Sequence, residues 1–98
     1  MNKKTYSKIL TQVKRIQAVK AASFDSEEFA RCVLKIREAF EDAVGRGAVA
    51  ATAKLLGVPT VQVYQWCDAS HSPRTKTACT IVKRLNKKDR VINTTFGV

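Results

Sequence analysis

Residues 49–67 read VAATAKLLGVPTVQVYQWC, and they contain the main sequence evidence for the architecture of the chain. Its first part places Val49, Ala53 and Leu56 on one face of a helix, because they recur at spacings of four and three. Gly57 follows at once and can take the left-handed backbone conformation that ends a helix. We therefore expect a short helix that stops at this glycine.

The second part of the stretch has the features of another short helix. Pro59 suits a first helical position, where its missing N–H is no loss. Val63 and Trp66 lie three residues apart and give this helix an apolar side. The small Ala53 of the first helix faces the place where the second helix must cross closely. The sequence therefore predicts two helices joined by a sharp turn.

The spacing around the turn resembles the helix-turn-helix of the phage-repressor family, the Cro and lambda-repressor-like proteins. Relative to Gly57, that family has a small residue four before, here Ala53, and an apolar residue just after, here Val58. It also has an aliphatic residue six after, here Val63, and a large apolar residue nine after, here Trp66. With its flanking helices, the resemblance covers more than half the chain. It implies DNA binding with the second helix in the major groove; the alternative is a plain helical hairpin in a core.

The charge of the chain points to a polyanionic partner. The 98 residues carry a net charge of +10, with a pI of about 10.0, and such a balance is typical of nucleic-acid-binding proteins. Residues 1–24 carry six bases and no acid, residues 25–45 three bases and six acids, and residues 46–98 nine bases and two acids. We expect the acidic middle to face away from the partner. The length indicates one domain, with room for an appendage.

Three cysteines, Cys32, Cys67 and Cys79, form no recognisable pairing or metal-binding pattern. Each lies in an apolar helical context, which favours buried free thiols in a reducing compartment. Cys67 and His71 are close in sequence, but zinc needs about four ligands, so we expect no metal and no other cofactor. No apolar run approaches transmembrane length, and the N-terminus lacks the apolar segment of a signal peptide. We expect a cytoplasmic, nucleoid-associated protein with no membrane partner.

Catalysis is not expected, because the sequence offers no phosphate-binding loop, metal site or paired carboxylates. At the N-terminus, residues 5–22 predict a basic amphipathic helix with Ile9, Val13 and Ile16 on one side. This helix can pack on the domain with a solvated lysine face, form a dimer through its apolar stripe, or lie on a membrane surface. The membrane is the least favoured of the three, since no aromatic anchors accompany the stripe.

A clear helix start follows at Asp25, which can cap the helix, while Glu28 completes a capping-box-like pair. Phe24 and Phe29 occupy the positions of a hydrophobic staple across this cap. We expect the helix to run to Val44, and in the family resemblance it is the scaffold helix before the motif. Its core face is predicted to comprise Phe29, Val33, Ile36, Phe40 and Val44.

The second motif helix, predicted over residues 59–67, carries no acid until Asp68. Its side chains outside the core are two glutamines, a threonine, a valine and a tyrosine. Glutamine can bond adenine in bidentate fashion, and threonine or valine can pack on a thymine methyl. We predict that DNA bases are read by Thr60, Val61, Gln62, Tyr64 and Gln65. The alternative is a merely polar face on an ordinary helix.

A loop of turn-forming residues, 68–72, precedes the last predicted helix, which has Ser72 as its cap and Pro73 as its first residue. Its core face is predicted to comprise Ala78, Ile81, Val82 and Leu85. In the resembling family, this loop and the start of this helix hold the DNA backbone. With the outward-pointing lysine of the first motif helix added, phosphate contacts are predicted for Lys54, His71, Ser72, Arg74, Thr75 and Lys76. For His71, a local hydrogen bond within the loop is an equal alternative.

These features predict an all-α protein, a small bundle of about five helices that contains a helix-turn-helix and ends in a short extended tail. We expect a basic N-terminal helix (1–24), a helix-turn-helix DNA-binding domain (25–90, motif 49–67) and an extended tail (91–98). The tail is rich in β-branched residues, which favour extended structure. Either the N-terminal helix or this tail can supply a dimer contact.

The expected function is a sequence-specific, DNA-binding transcriptional regulator, a repressor of phage or mobile-element type. It would bind an inverted repeat in double-stranded DNA as a homodimer, through the second helix of the motif. The alternative is a protein-interaction module on the same fold. It would be an inhibitor, an antitoxin, or the DNA-recruiting subunit of a larger machine such as a phage packaging complex.

Overall fold

The computed structural model describes residues 3–87, and throughout this range the ordered elements are helical, with no strand. The prediction of an all-α protein is confirmed. The α-helices are α1 (Lys3–Gln17), α2 (Ser26–Val44), α3 (Ala48–Leu56), α4 (Thr60–Cys67) and α5 (Thr75–Lys87). Two single 3₁₀ turns, Ala21–Ser23 and Gly45–Gly47, flank α2. The predicted tail (91–98), and residues 88–90 of the predicted domain, lie outside the described residues.

The first helix packs its apolar stripe into the common core. Ile9, Val13 and Ile16 have no exposed surface and belong to one hydrophobic cluster with residues of α2 to α5. The helix contacts α2 and α5. Of the three interpretations of this helix, packing on the domain is therefore the one that accounts for its apolar stripe.

The first helix is shorter than predicted, ending at Gln17 instead of Ala22. Its last turn tightens, because the N–H of Val19 donates to the carbonyl of Ile16 at 3.0 Å. The chain then reverses through the 3₁₀ turn Ala21–Ser23 so that α2 can pack antiparallel to α1. A longer α1 would carry Phe24 away from the start of α2, where its ring contacts that of Phe29.

The second helix begins as predicted. The Asp25 carboxylate accepts hydrogen bonds from the backbone N–H groups of Glu27 and Glu28, at 3.0 and 3.1 Å. The rings of Phe24 and Phe29 meet edge to face across this cap, with centroids 5.9 Å apart. Such a cap satisfies backbone donors that the first turn leaves free and fixes the angle at which the chain enters the helix.

The predicted core face of α2 is buried except at its end. Phe29, Val33, Ile36 and Phe40 are at most 2% exposed. The prediction for Val44 is wrong, since this side chain is 50% exposed. Val44 lies in the last turn of α2, and its Cγ2 is 3.7 Å from the position that a Cβ on Gly47 would occupy.

The turn between α3 and α4 has the predicted geometry at its glycine. Gly57 adopts φ 73° and ψ 34°, the left-handed conformation. The carbonyl of Ala53 accepts hydrogen bonds from the N–H groups of both Gly57 and Val58, at 2.8 and 3.1 Å. Ala53 and Leu56 are buried on the side of α3 that faces the core. The glycine therefore ends α3 and redirects the chain within three residues.

Two predicted helix starts are displaced along the chain. Pro59 is the cap residue of α4 rather than its first residue, because its ψ of 148° is extended. Likewise, α5 begins at Thr75 and not at Pro73, and Ser72 does not cap it. Pro73 is buried against the body of the protein, and the first helical hydrogen bond runs from Ala78 N–H to the carbonyl of Arg74.

Candidate nucleic-acid interface

The inner side of α4 fixes which of its residues face outward. Val63 has no exposed surface and Trp66 is 5% exposed. The Trp66 ring stands edge to face on Phe29 of α2, with centroids 6.0 Å apart and an interplanar angle of 83°. Since each residue advances about 100° around a helix, Val61 lies almost directly opposite this pair. It is 60% exposed, and Tyr64, one turn further on, is 53% exposed.

The two glutamines, three residues apart, lie on one flank of this outward face,. Both Gln62 and Gln65 are half-buried, whereas Thr60 is exposed in the first turn. Gln62 lines a groove beside α5, and the backbone carbonyl of Gln65 accepts the N–H of His71 at 3.3 Å. The structure therefore places the predicted base-reading residues on one helix, with an apolar centre and amide side chains toward one edge.

An ion pair from α2 supports the outward face. Arg37 donates from Nε to the Glu41 carboxylate at 2.9 Å, and its guanidinium carbon lies 5.6 Å from the centre of the Tyr64 ring. A cation over an aromatic face is an attractive arrangement. Sequence reasoning missed Arg37 and Glu41 as parts of this site. Their spacing of four residues indicates an ion pair, but nothing in the sequence connects either one to Tyr64.

A groove separates the α3–α4 turn from α5. It has a volume of about 310 Å³ and brings Gln62 together with Lys76 and Arg84 of α5. Arg84 lies so close over Gly57 that a β-carbon on this glycine would collide with its side chain. No acidic residue lines this groove, so the side of α4 nearest to α5 is positively charged.

The loop after α4 is held by hydrogen bonds to its own ends. The Asp68 carboxylate accepts the N–H of Ser70 at 2.9 Å, and the bonds from Ser70 lower the pKa of Asp68. The Ser70 hydroxyl donates to the carbonyl of Gln65 at 3.5 Å. Ala69 takes a positive φ of 62°, which few residues other than glycine adopt,. These features give the loop a definite shape.

The predicted phosphate-binding residues divide into three groups. Arg74, Thr75 and Lys76 are exposed and consecutive at the start of α5, and Lys76 shares the groove of Gln62. His71 and Ser72, also exposed, line a different groove of about 470 Å³ against the first half of α2. Lys54 is exposed on α3 and lines neither of these two grooves.

Charges on α1 and α2 offset one another across the helix pair. Lys8 lines a groove with Glu38 and Asp42, and Arg15 lines another with Asp25. In contrast, the described chain after α2 carries seven bases and one acid. Four of the six acids in residues 25–45 thus line grooves beside the basic α1, whereas Glu27 shares a groove with His71 and Ser72, and Glu41 shares one with Tyr64.

The cysteines of this region are unpaired thiols. Cys32 is buried, Cys67 is half-buried at the end of α4, and burial raises the pKa of both. For Cys67, the neighbouring Arg37 opposes that rise. Within residues 3–87, no group of three or more His, Cys, Asp or Glu side chains is arranged to hold a metal ion. None of the helices in this range has the length and apolar character needed to cross a membrane.

Comparison of the chain with models of protein families, with curated proteins and with solved structures found no match.

Proposed function

We propose that the protein is a sequence-specific DNA-binding regulator, a repressor of phage or mobile-element type, in which α3 and α4 form a helix-turn-helix. In this proposal α4 enters the major groove, and the start of α5 contacts the phosphate backbone. A short helix of this kind fits the width of the major groove of B-DNA. A homodimer on an inverted repeat would double the contacts, since one module buries little surface.

The observation that carries the proposal is the outward face of α4. Its inner residues, Val63 and Trp66, are buried by the rest of the bundle, and its outer residues are exposed and uncharged. Lys76 and Arg84 lie beside it in a groove without acids. An uncharged helical face with cations on its α5 side suits a ligand whose backbone is anionic and whose interior presents hydrogen-bonding base edges.

The direct test is selection of binding sites from a randomised duplex library, followed by titration of the selected duplex at several salt concentrations. We expect an enriched inverted repeat and an affinity that falls steeply with salt, with a slope of about −0.9 in log K against log salt for each phosphate neutralised. A flat salt response, or no enriched sequence, would refute the proposal.

Two classes of substitution separate base reading from backbone contact. Gln62→Ala and Gln65→Ala should weaken binding to the selected duplex by about 1–3 kcal/mol and leave unrelated DNA nearly unaffected. Arg74→Ala and Lys76→Ala should weaken all sequences alike and reduce the salt slope by about one unit. All four side chains have exposed surface, so the melting temperature should stay constant and serve as the control. Equal losses on both DNAs for the glutamine variants would show that glutamine does not read the sequence.

The exposed Val61 and Tyr64 also favour a second candidate, a protein-interaction module such as an inhibitor, an antitoxin or a DNA-recruiting subunit. Apolar side chains at the centre of an exposed helix face are common in protein interfaces. Under this alternative, Val61→Asp would abolish capture of a protein from the native cell, and the purified protein would bind DNA without sequence preference. An enriched DNA sequence in the library selection excludes it as the main function.

A further inference from the structure

The centre of the outward face of α4 is apolar, although the face is exposed. Val61 and Tyr64 are two of only three large hydrophobic residues in the described chain that are exposed, and they lie one turn apart on the same side,. The third, Val44, lies apart from them at the end of α2. An exposed position in a short helix has no structural need for valine, since arginine, lysine, glutamine and glutamate all have a higher helix propensity.

Two features limit the conformations of the side chains in this patch. Valine is stiff because its branched Cβ strongly prefers one rotamer in a helix. Tyr64 is restrained by the Arg37 guanidinium, which the Glu41 carboxylate holds in place. A stiff apolar patch loses little conformational entropy when it binds, so more of the contact energy appears as affinity.

The major groove of DNA offers one apolar group that such a patch can recognise. Among the base edges exposed there, the C5-methyl of thymine is apolar, and the others are hydrogen-bond donors and acceptors. A second protein chain is a poorer fit, since stable protein interfaces bury about 800 Å² per partner. Two side chains on an eight-residue helix, next to a cationic groove, present far less apolar surface than that.

We propose that Val61 is a specificity-determining residue of α4 and packs on the C5-methyl group of a thymine, with Tyr64 beside it. The amide side chains of Gln62 and Gln65 lie on one side of this contact. This inference rests on the proposed DNA-binding function and goes beyond it, because it assigns a 5-methylated pyrimidine to the position beneath Val61.

The test uses the duplex selected from the randomised library, resynthesised with deoxyuridine in place of each thymine in turn. This exchange removes one methyl group and leaves base pairing intact. Wild-type protein should lose about fourfold in affinity at the one or two positions that Val61 contacts, the factor expected for burying one methyl group. Val61→Ala should bind the thymine duplex more weakly and should not distinguish thymine from deoxyuridine. Gln62→Ala is the matched control and should keep the distinction.

The outcomes separate the inference from the function on which it rests. If wild type prefers the selected duplex to unrelated DNA but binds thymine and deoxyuridine equally, the inference is wrong and the function stands. If Val61→Ala still distinguishes the two bases, Val61 is not the reader and the inference is again wrong. If no duplex is preferred at all, the proposed function fails. A change in oligomeric state of Val61→Ala in sedimentation, with the methyl effect intact, would assign the patch to a second copy and overturn the inference.

Discussion

Replacing Gly57 by alanine tests the turn on which the orientation of α4 depends. Gly57 adopts φ 73° and ψ 34°, a conformation that costs an L-residue with a Cβ about 1–2 kcal/mol. Glycine occupies it freely, because it has no Cβ. From the backbone alone, Gly57→Ala should therefore lower the free energy of unfolding by about 1–2 kcal/mol.

The side chain of Arg84 adds a second contribution. A β-carbon on Gly57 would come against the Cδ, Nε and Cζ atoms of Arg84. Arg84 is exposed and can swing away, but it then loses its packing on the turn. When Arg84 is already alanine, this contact is absent. Adding Gly57→Ala to Arg84→Ala should then lower the free energy of unfolding by the backbone contribution alone. A coupling energy of at least about 0.5 kcal/mol between the two sites is the expected result.

Urea denaturation followed by far-ultraviolet circular dichroism measures all four members of this cycle. Gly57→Asn is the matched control, because asparagine carries the same Cβ but tolerates the left-handed region better than alanine. It should be less destabilised than Gly57→Ala. Equal stability of the wild type and Gly57→Ala would refute the left-handed turn. An identical loss in both Arg84 backgrounds would refute the packing of Arg84 on the glycine.

Substitutions at three further positions test the core, a cap and a buried thiol. Trp66→Ala should cost about 3–5 kcal/mol, because it removes a buried ring that packs on Phe29,; an unchanged melting temperature in calorimetry would show that the ring is on the surface. Asp25→Ala should cost about 1 kcal/mol in urea denaturation and Asp25→Asn much less, since asparagine also caps. Burial raises the pKa of Cys32 above its ordinary 9.0, so above that pH the unfolded chain loses its proton first and stability should fall. Between pH 8 and pH 10, the urea midpoint of Cys32→Ala should therefore fall less than that of the wild type.

Local chemistry explains why the sequence predicted most helices and their inner faces. The cap at Asp25 and the staple of Phe24 on Phe29 involve residues within one turn of each other. The end of α3 at Gly57 depends on the backbone conformation that this one residue can adopt. Periodicity identified the buried sides of α2 and α4 for the same reason, since burial follows the repeat of the helix itself.

Features set by tertiary packing were not predictable from sequence. The end of α1 at Gln17 depends on the reversal that lets α2 pack against it, although the alanines after it favour helix,. The start of α5 at Thr75 follows the burial of Pro73 in the body of the protein. The contact of Arg37 with Tyr64 joins residues 27 positions apart, and no local pattern indicates which residues a folded chain will bring together.

The orientation of α4 depends on α2 at two points on opposite sides of the helix. On the inner side, Trp66 stands on Phe29, near the start of α2. On the outer side, Tyr64 lies against Arg37, two turns further along α2. Two contacts separated along a rigid helix restrict rotation of α4 about its own axis, which one contact would leave free. A rotation of one residue would move Val61 by about 100°, so the side of α4 that a ligand meets is determined by α2 as much as by α4 itself.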